Sequence, residues 1–257
     1  NDKTRFAIDG LSRQRLDKVY IRDNNKLNVS DWDNALNKIK NEINKRGKDK
    51  TITLSGKFTD AETIISAKLF SEGLGSKLYD CRFDNAQIIH NEDESYKFNS
   101  SIQEVENADA ILLVGSNPRW EASVLNARIR KAFISNNCKV GLIGPDLDLN
   151  YSYSKISNSL GGLNDILDNK AQFSEELFNA KNPIVIVGTS AINTSQGSSI
   201  LKTCAEIAKK LPNFSGSFNP FNVLNQDISR VGSLELGFFN KVFDGDFSKK
   251  LKEQIYK

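Results

Sequence analysis

Three short, almost unbroken apolar runs each stop at a glycine: "AILLVG" at Gly115, "KVGLIG" at Gly144 and "NPIVIVG" at Gly188. A strand that is apolar at nearly every position has no polar face to show to water, so both of its faces must be covered. The segments after Gly115 and Gly188 carry apolar residues at helical spacing. In "QGSSILKTCAEIAKKL" these are Ile200, Cys204, Ile207 and Leu211. Strands alternating with helices predict an α/β chain, a mostly parallel sheet with helices on both faces. In open sheets of this kind ligands lie beyond the carboxyl ends of the strands, so the three glycines are expected on one rim.

The flanking segments give weaker signals. Residues 1–29 are polar, with a basic cluster at Arg13, Arg15, Lys18 and Arg22, and read as an extended connector. Ser30-Asp31-Trp32-Asp33 starts a helix with Ser30 as N-cap; Trp32, Leu36, Ile39 and Ile43 carry it to Arg46, and Gly47 ends it. "TITLSG" and "LYDCRF" read as short strands flanking a helix with Thr59 as cap, Glu62 completing a capping box and Gly73 or Gly75 as its stop. Residues 84–96 and 145–162 read as loop, and 101–106 as one helical turn. "LNDILDN" and "QFSEELFNA" read as short helices, and "FNVLNQDISRVGSLELGF" as mixed structure ending in loop. The expected division is a connector over 1–29, an α/β domain over 30–240 with one or two subdomains, and a lysine-rich tail over 241–257, helical or disordered.

Composition removes several classes of function. The 35 basic and 32 acidic residues are interspersed and the net charge is +3, so nothing demands nucleic acid as a partner. No apolar run approaches the roughly 18 residues that span a bilayer, so no direct membrane insertion is expected, and the polar first 20 residues do not read as a signal peptide. Cys81, Cys138 and Cys204 are far apart and odd in number, which points to a reducing compartment and to buried, unpaired thiols. An iron–sulfur cluster typically takes four thiolates, so none is expected in this chain. His90 is the sole histidine, no GxSxG elbow is present, and no zinc spacing occurs, so neither a metal site nor a catalytic triad is expected. The chain opens on Asn1 and holds no methionine, so it is expected to be a fragment of a longer protein.

One stretch retains a candidate binding site. Gly115-Ser116-Asn117-Pro118 joins an apolar strand to an amphipathic helix. Glycine admits close backbone approach, Ser and Asn offer hydrogen bonds, and a helix start presents unpaired amides to an anion. Neither the P-loop pattern nor GxGxxG is present, so the same residues also read as a plain tight turn. Arg128 and Arg130 further along either reach a phosphate or form a charged surface, and Glu121 pairs with Arg119 or with a neighbouring element. Asp146 and Asp148, after Gly144, sit where dinucleotide folds place a ribose-binding acid, or else cap the following turn.

Four strings, "DGLSRQRLDKVYIR", "NADAILLVGSNPRWEASVLNARIRKAF", "KVGLIGPDLDLNYSY" and "FNVLNQDISRVGSLELGF", resemble the large iron–sulfur subunits of complex I, NADH:quinone oxidoreductase. The similarity spans roughly residues 3–240. It implies a fold like that of molybdopterin oxidoreductases such as formate dehydrogenase and DMSO reductase. It also implies iron–sulfur clusters in an amino-terminal part that lies outside this chain. Its implied partners are that cluster domain and other complex I subunits, on the cytoplasmic or matrix side of an energy-converting membrane. In active molybdopterin enzymes, a loop similar to residues 115–118 holds the diphosphate of the pterin dinucleotide, and the next strand ends in Asp-Pro-Arg. Here that place reads Gly144-Pro145-Asp146 without the arginine, and no metal-ligating Cys or Ser is evident. The resemblance therefore implies a vestigial phosphate loop at Gly115, Ser116, Asn117 and Pro118 in a structural, cofactor-free domain. The alternative is a residual pterin- or nucleotide-binding module using those residues and Thr189.

Overall fold

The computed structural model describes residues 5–255 apart from 14, 90–92, 160 and 216–217. Its centre is a five-stranded, all-parallel sheet. In chain order the strands are β5 (Ala110–Val114), β6 (Lys139–Ile143), β7 (Ser154–Ser157), β8 (Pro183–Gly188) and β9 (Phe221–Leu224), and their spatial order is β7-β6-β5-β8-β9. The chain leaves β5 towards one edge through β6 and β7, then returns to the other side of β5 with β8. The switch in direction thus falls between β5 and β8.

Alternate residues of the central strands feed two separate cores. Leu112, Val114, Val185 and Val187 pack with Ile200, Leu201, Cys204 and Ile207 of the helix Gly197–Lys209 on one face. Ile111, Leu113, Ile184 and Ile186 pack with Leu125, Ile129 and Ala132 of the helix Ser123–Ser135 on the other. This is why β5 and β8 are buried at every position and show no alternation in sequence. The α/β reading, with helices on both faces, is what the structure has.

Outside the sheet the structure departs from the sequence-based expectation in several places. The expected extended connector holds a 3-10 turn over Ala7–Ser12 and an antiparallel hairpin, β1 (Val19–Asp23) with β2 (Lys26–Ser30). The hairpin turns on Asn24 and Asn25, with φ of 46° and 64°, the pair of positive angles that a two-residue turn needs and that asparagine tolerates. Ser30 ends β2, and the N-cap of the following helix α1 (Trp32–Arg46) is Asp31, whose carboxylate accepts from Asn34 N at 2.8 Å. Helix α2 (Ala61–Gly73) is likewise capped by Asp60 and not by Thr59, whose hydroxyl donates to Gly56 O. The strands expected at "TITLSG" and "LYDCRF" shrink to β3 (Thr53–Leu54) and β4 (Tyr79–Asp80), two residues each. Residues 145–162, expected to be irregular, contain the edge strand β7, whose "SKIS" is exposed or half-buried and gives no apolar signal.

The region after 240 packs onto the body. Phe243 and Phe247 are buried, Asp244 is ion-paired with Arg82, and Phe247 N donates to Asn85 Oδ1. A terminal helix covers Phe247–Ile255. Among the described residues no helix is long and apolar enough to cross a membrane.

Candidate functional site

The rim formed by the carboxyl ends of β5, β6 and β8 is built by the three glycines, as their positions in sequence predict. A side-chain carbon placed on Gly144 would lie 3.7 Å from Gly115 Cα, and one placed on Gly188 would lie 2.3 Å from Gly115 O. Gly115 has φ +54°, and a carbon on it would lie 2.6 Å from Ala191 Cβ. The rim is closed by these contacts. The crevice between β5 and β8, where open α/β sheets usually admit a ligand, is filled by residues 115–116 of one loop lying against 188–191 of the other.

The candidate loop leaves β5 at Gly115, whose amide donates to Ile143 O at 2.9 Å. Ser190 Oγ donates to Gly115 O. Ser116 is buried at 3 % exposure and Pro118 is buried as well. Pro118 opens a single helical turn spanning Pro118–Glu121. That turn breaks at Ala122 (φ −150°, ψ 68°) before the helix Ser123–Ser135 begins. The long helix expected to start at Pro118 is therefore two helices.

The break points Glu121 back at the loop. Its carboxylate accepts from Asn117 N at Oε1 and from Ser116 Oγ at Oε2, both at 3.1 Å. The backbone amide and the hydroxyl that an oxyanion would use are thus bound to a side chain four residues on. One polar atom of the loop is left over: Asn117 Oδ1 is buried and has no hydrogen-bond partner.

The other candidate residues are engaged elsewhere. Glu121 does not pair with Arg119; Arg119 Nη1 donates to Asp148 Oδ2 at 2.5 Å and to Asp148 O at 2.8 Å. Asp146 accepts from Lys155 at 2.8 Å, and the same ammonium donates to Gly144 O at 2.6 Å. Neither aspartate caps a turn; each is one half of an ion pair tying the loop after β6 to a neighbour. Arg128 and Lys131 both donate to Glu106, and these bonds hold its carboxyl below the usual carboxylate range. Arg130 is exposed. Thr189 is buried beside Ser190 on the rim. Arg13, Arg15, Lys18 and Arg22 are exposed, and His90 lies outside the described residues.

The three cysteines are buried and unpaired. Burial pushes the Cys81 and Cys138 thiols up to about 12, and Cys204 further in the same direction. Thiols so placed stay protonated and are poor nucleophiles or ligands. Among the described residues, no group of three or more His, Cys, Asp or Glu side chains is arranged to hold a metal ion.

A cluster without any local signal in the sequence lies under β4. Arg82, 2 % exposed, donates to both oxygens of the fully buried Asp80, at 3.0 and 2.8 Å, to Asp244 at 2.8 Å and to Asn240 O at 3.0 Å. Nearby, Arg230 is buried against Asp84 and Asp227 at 2.7 and 2.8 Å. The partners are up to 162 residues apart in sequence, so local pattern has no means of pairing them.

Known proteins share this chain's sequence along most of its length. The family model described as molybdopterin oxidoreductase matches residues 15–254. The NADH-ubiquinone oxidoreductase 78 kDa subunit, mitochondrial, of Candida albicans is 37 % identical over 97 % of this chain and 35 % of its own length. The protein of the same name from Neurospora crassa is 35 % identical over 93 % of this chain and 33 % of its own length. An NADH-quinone oxidoreductase subunit of Rickettsia bellii is 34 % identical, over 93 % of this chain and 35 % of its own length. The chain thus spans about a third of the length of the curated relatives it matches.

Proposed function

The chain belongs to the molybdopterin oxidoreductase family, and on that premise we propose that it is a cofactor-free supporting domain of the large subunit of an NADH:quinone oxidoreductase. Its part in electron transfer from NADH to quinone is to hold the cluster-bearing remainder of that subunit and to contact neighbouring subunits. The iron–sulfur clusters belong to the part of the parent polypeptide beyond this chain. The domain is peripheral, on the cytoplasmic or matrix side of the membrane.

The observation that carries the reading is the Glu121 carboxylate on Asn117 N and Ser116 Oγ. By the resemblance, a pterin dinucleotide would set its diphosphate at this loop, where those groups are taken up, and Gly115, Gly188 and Ala191 close the crevice between β5 and β8 beside it. The residues present do not fit that group: a diphosphate would meet a carboxylate of its own sign at the loop, with Arg119 turned away to Asp148. Like charges at hydrogen-bonding distance are strongly unfavourable.

A supporting role also needs surface to offer, and the amino-terminal module supplies it. Leu27, Val29, Trp32, Leu36 and Ile39 of the hairpin and α1 are each more than half exposed, and α1 has no buried residue. A hairpin and one helix without a buried core are marginal alone, and this many large apolar side chains left exposed on them suits an interaction site. We assign it to the cluster-bearing part of the parent subunit.

The test is the molybdenum, tungsten and pterin content of the purified chain, by elemental analysis and by fluorescence of the oxidised extract. All three are expected far below stoichiometric. Stoichiometric metal with pterin would overturn the reading in favour of a working cofactor module.

A further inference from the structure

We propose that the amino-terminal hairpin and α1 dock on an acidic surface of the cluster-bearing part of the parent polypeptide, with a large apolar side chain of that part seated in the groove between β1 and α1. This deepens the supporting role above by naming the chemistry of the partner, and rests on it.

Charge is unevenly divided along the chain. The first 50 residues hold 13 of its 35 basic and 8 of its 32 acidic residues, so this stretch carries net +5 and the remainder net −2. Within the hairpin and α1 the cations are on the surface: Arg22, Lys26, Lys38, Lys40, Lys45 and Arg46 are all exposed. Lys45 and Arg46 close α1, where the helix dipole favours cations, and Arg46 pairs with Glu42 at 3.2 Å. Those two have their reason within the helix. Lys38 and Lys40 lie mid-helix and do not. Lys38 donates to Arg22 O at 3.0 Å, and Arg22 donates to Asn25 O at 3.1 Å. A carbonyl satisfies the donor and leaves the positive charge in place.

Apolar surface and positive charge share one face. Trp32, Leu36 and Lys40 follow each other at a spacing of four, which sets them in line along α1. Beside that line runs a groove of about 410 Å³, with Tyr20 and Ile21 on its β1 side and Ile39 and Ile43 on its α1 side. Arg22 and Lys38 also line it, and its one acid, Glu42, is taken by Arg46. Interfaces of this type are held by an apolar anchor in a pocket and are oriented by opposite charge around it.

An anionic bilayer would attract the same cations, but it has no side chain to fill a groove. A helix that carries Asp33 and Glu42 among its lysines also lacks the strongly basic polar face of a membrane-surface helix. The curated relatives carry about two thirds of their length outside the stretch that this chain matches, so in them a large partner surface lies on the same polypeptide.

The test uses the intact NADH:quinone oxidoreductase that contains the chain. A water-soluble carbodiimide joins an amine to a carboxylate only where the two are in contact, and the joined peptides are read by mass spectrometry. Lys38 or Lys40 is expected to be joined to an Asp or Glu of the cluster-bearing part. Links from these lysines to other subunits only, or no links at all, would overturn the proposal. Backbone hydrogen exchange across 32–46 is expected to be about tenfold slower in the complex than in the isolated chain. Lys38→Glu combined with Lys40→Glu changes two exposed residues of a helix without a buried residue, and is expected to return most of that protection. Equal exchange in the parent complex and the double variant would overturn the proposal. So would protection that is present in a bilayer and lost in lipid-free detergent, which would give the face to the membrane. Stoichiometric molybdenum and pterin would sink the supporting role and leave the cross-links standing. A pterin-free complex without the cross-links sinks only the docking surface.

Discussion

Gly188 has an ordinary extended backbone, φ −92° and ψ 166°, and still admits no side chain. The obstacle is the opposing loop: a carbon there would sit 2.3 Å from Gly115 O and 2.7 Å from Ser116 Cα, both backbone atoms held by other bonds. Gly188→Ala is therefore expected to cost about 2–3 kcal/mol, the range of overpacking that moves backbone, seen as a lower urea midpoint at unchanged slope. Gly232, inside a helix with nothing within 4 Å of an added carbon, is the control; Gly232→Ala is expected to be neutral or stabilising by up to about 1 kcal/mol. Equal losses at both positions would mean that the rim is not closed as described. The three rim glycines are legible in the sequence because each ends an apolar run. What they meet is not legible there. The sequence leaves Glu121 to pair with Arg119 or with a neighbouring element and gives no sign of its bonds to Ser116 and Asn117. The true contact is one residue longer than a capping-box spacing, Asn117 to Glu121, and depends on a break at Ala122 that no glycine or extra proline announces.

Elements divide along the same line. The strands β5, β6 and β8 and the helix Gly197–Lys209 are legible because burial on two faces, or on one stripe, writes itself into the sequence as a period. The hairpin β1–β2 and the edge strand β7 have weak periods because they bury little: no residue of either is buried. The hairpin's one clear signal is Asn24-Asn25, a pair suited to two positive φ angles. Arg82 is one anchor of the terminus, reaching from the end of β4 to Asp244 and Asn240 O. Removing that guanidinium leaves Asp80, 0 % exposed, as a buried charge that keeps only its backbone bonds, such as the one from Asn240 N. Breaking a buried pair on one side costs about 3–5 kcal/mol. Arg82→Met is expected to lose stability in that range and to speed hydrogen exchange across residues 241–255 before the sheet. Asp244→Asn, at the more exposed end of the network, is expected to lose less than about 1 kcal/mol. If Arg82→Met left exchange in 241–255 unchanged, the terminus would be held by Phe243 and Phe247 and by the hydrogen bonds to Asn85 and Gln87.

Among the described residues the molecule carries three hydrophobic clusters, and each contains one cysteine. Cys204 lies in the cluster on one face of the five-stranded sheet and Cys138 in the cluster on the other. Cys81 lies in a third and smallest cluster, with Ile64, Tyr79, Ile88, Tyr96, Leu234 and Phe238, under the two-residue strands β3 and β4. The two large clusters share the strands between them, so neither opens while the other holds. The third has no such sheet, and its stability rests on a small apolar core and the Arg82 and Arg230 ion pairs. Regions with fewer buried apolar contacts open at lower free energy. The thiols make this readable. In the folded state at pH 8 each is protonated, because burial has pushed Cys81 and Cys138 to about 12 and Cys204 higher still, against an ordinary value near 9 once exposed. A raised pKa also means that the stability these thiols lend is whole below pH 9 and fades as pH climbs towards 12, so labelling at pH 8 leaves the folded state undisturbed. Pulse labelling with a thiol reagent across a urea series is expected to modify Cys81 first, and Cys138 and Cys204 later at one shared midpoint. Simultaneous labelling of all three would mean that the third cluster is part of the same cooperative unit as the sheet. Separate midpoints for Cys138 and Cys204 would mean that the sheet does not couple its two faces.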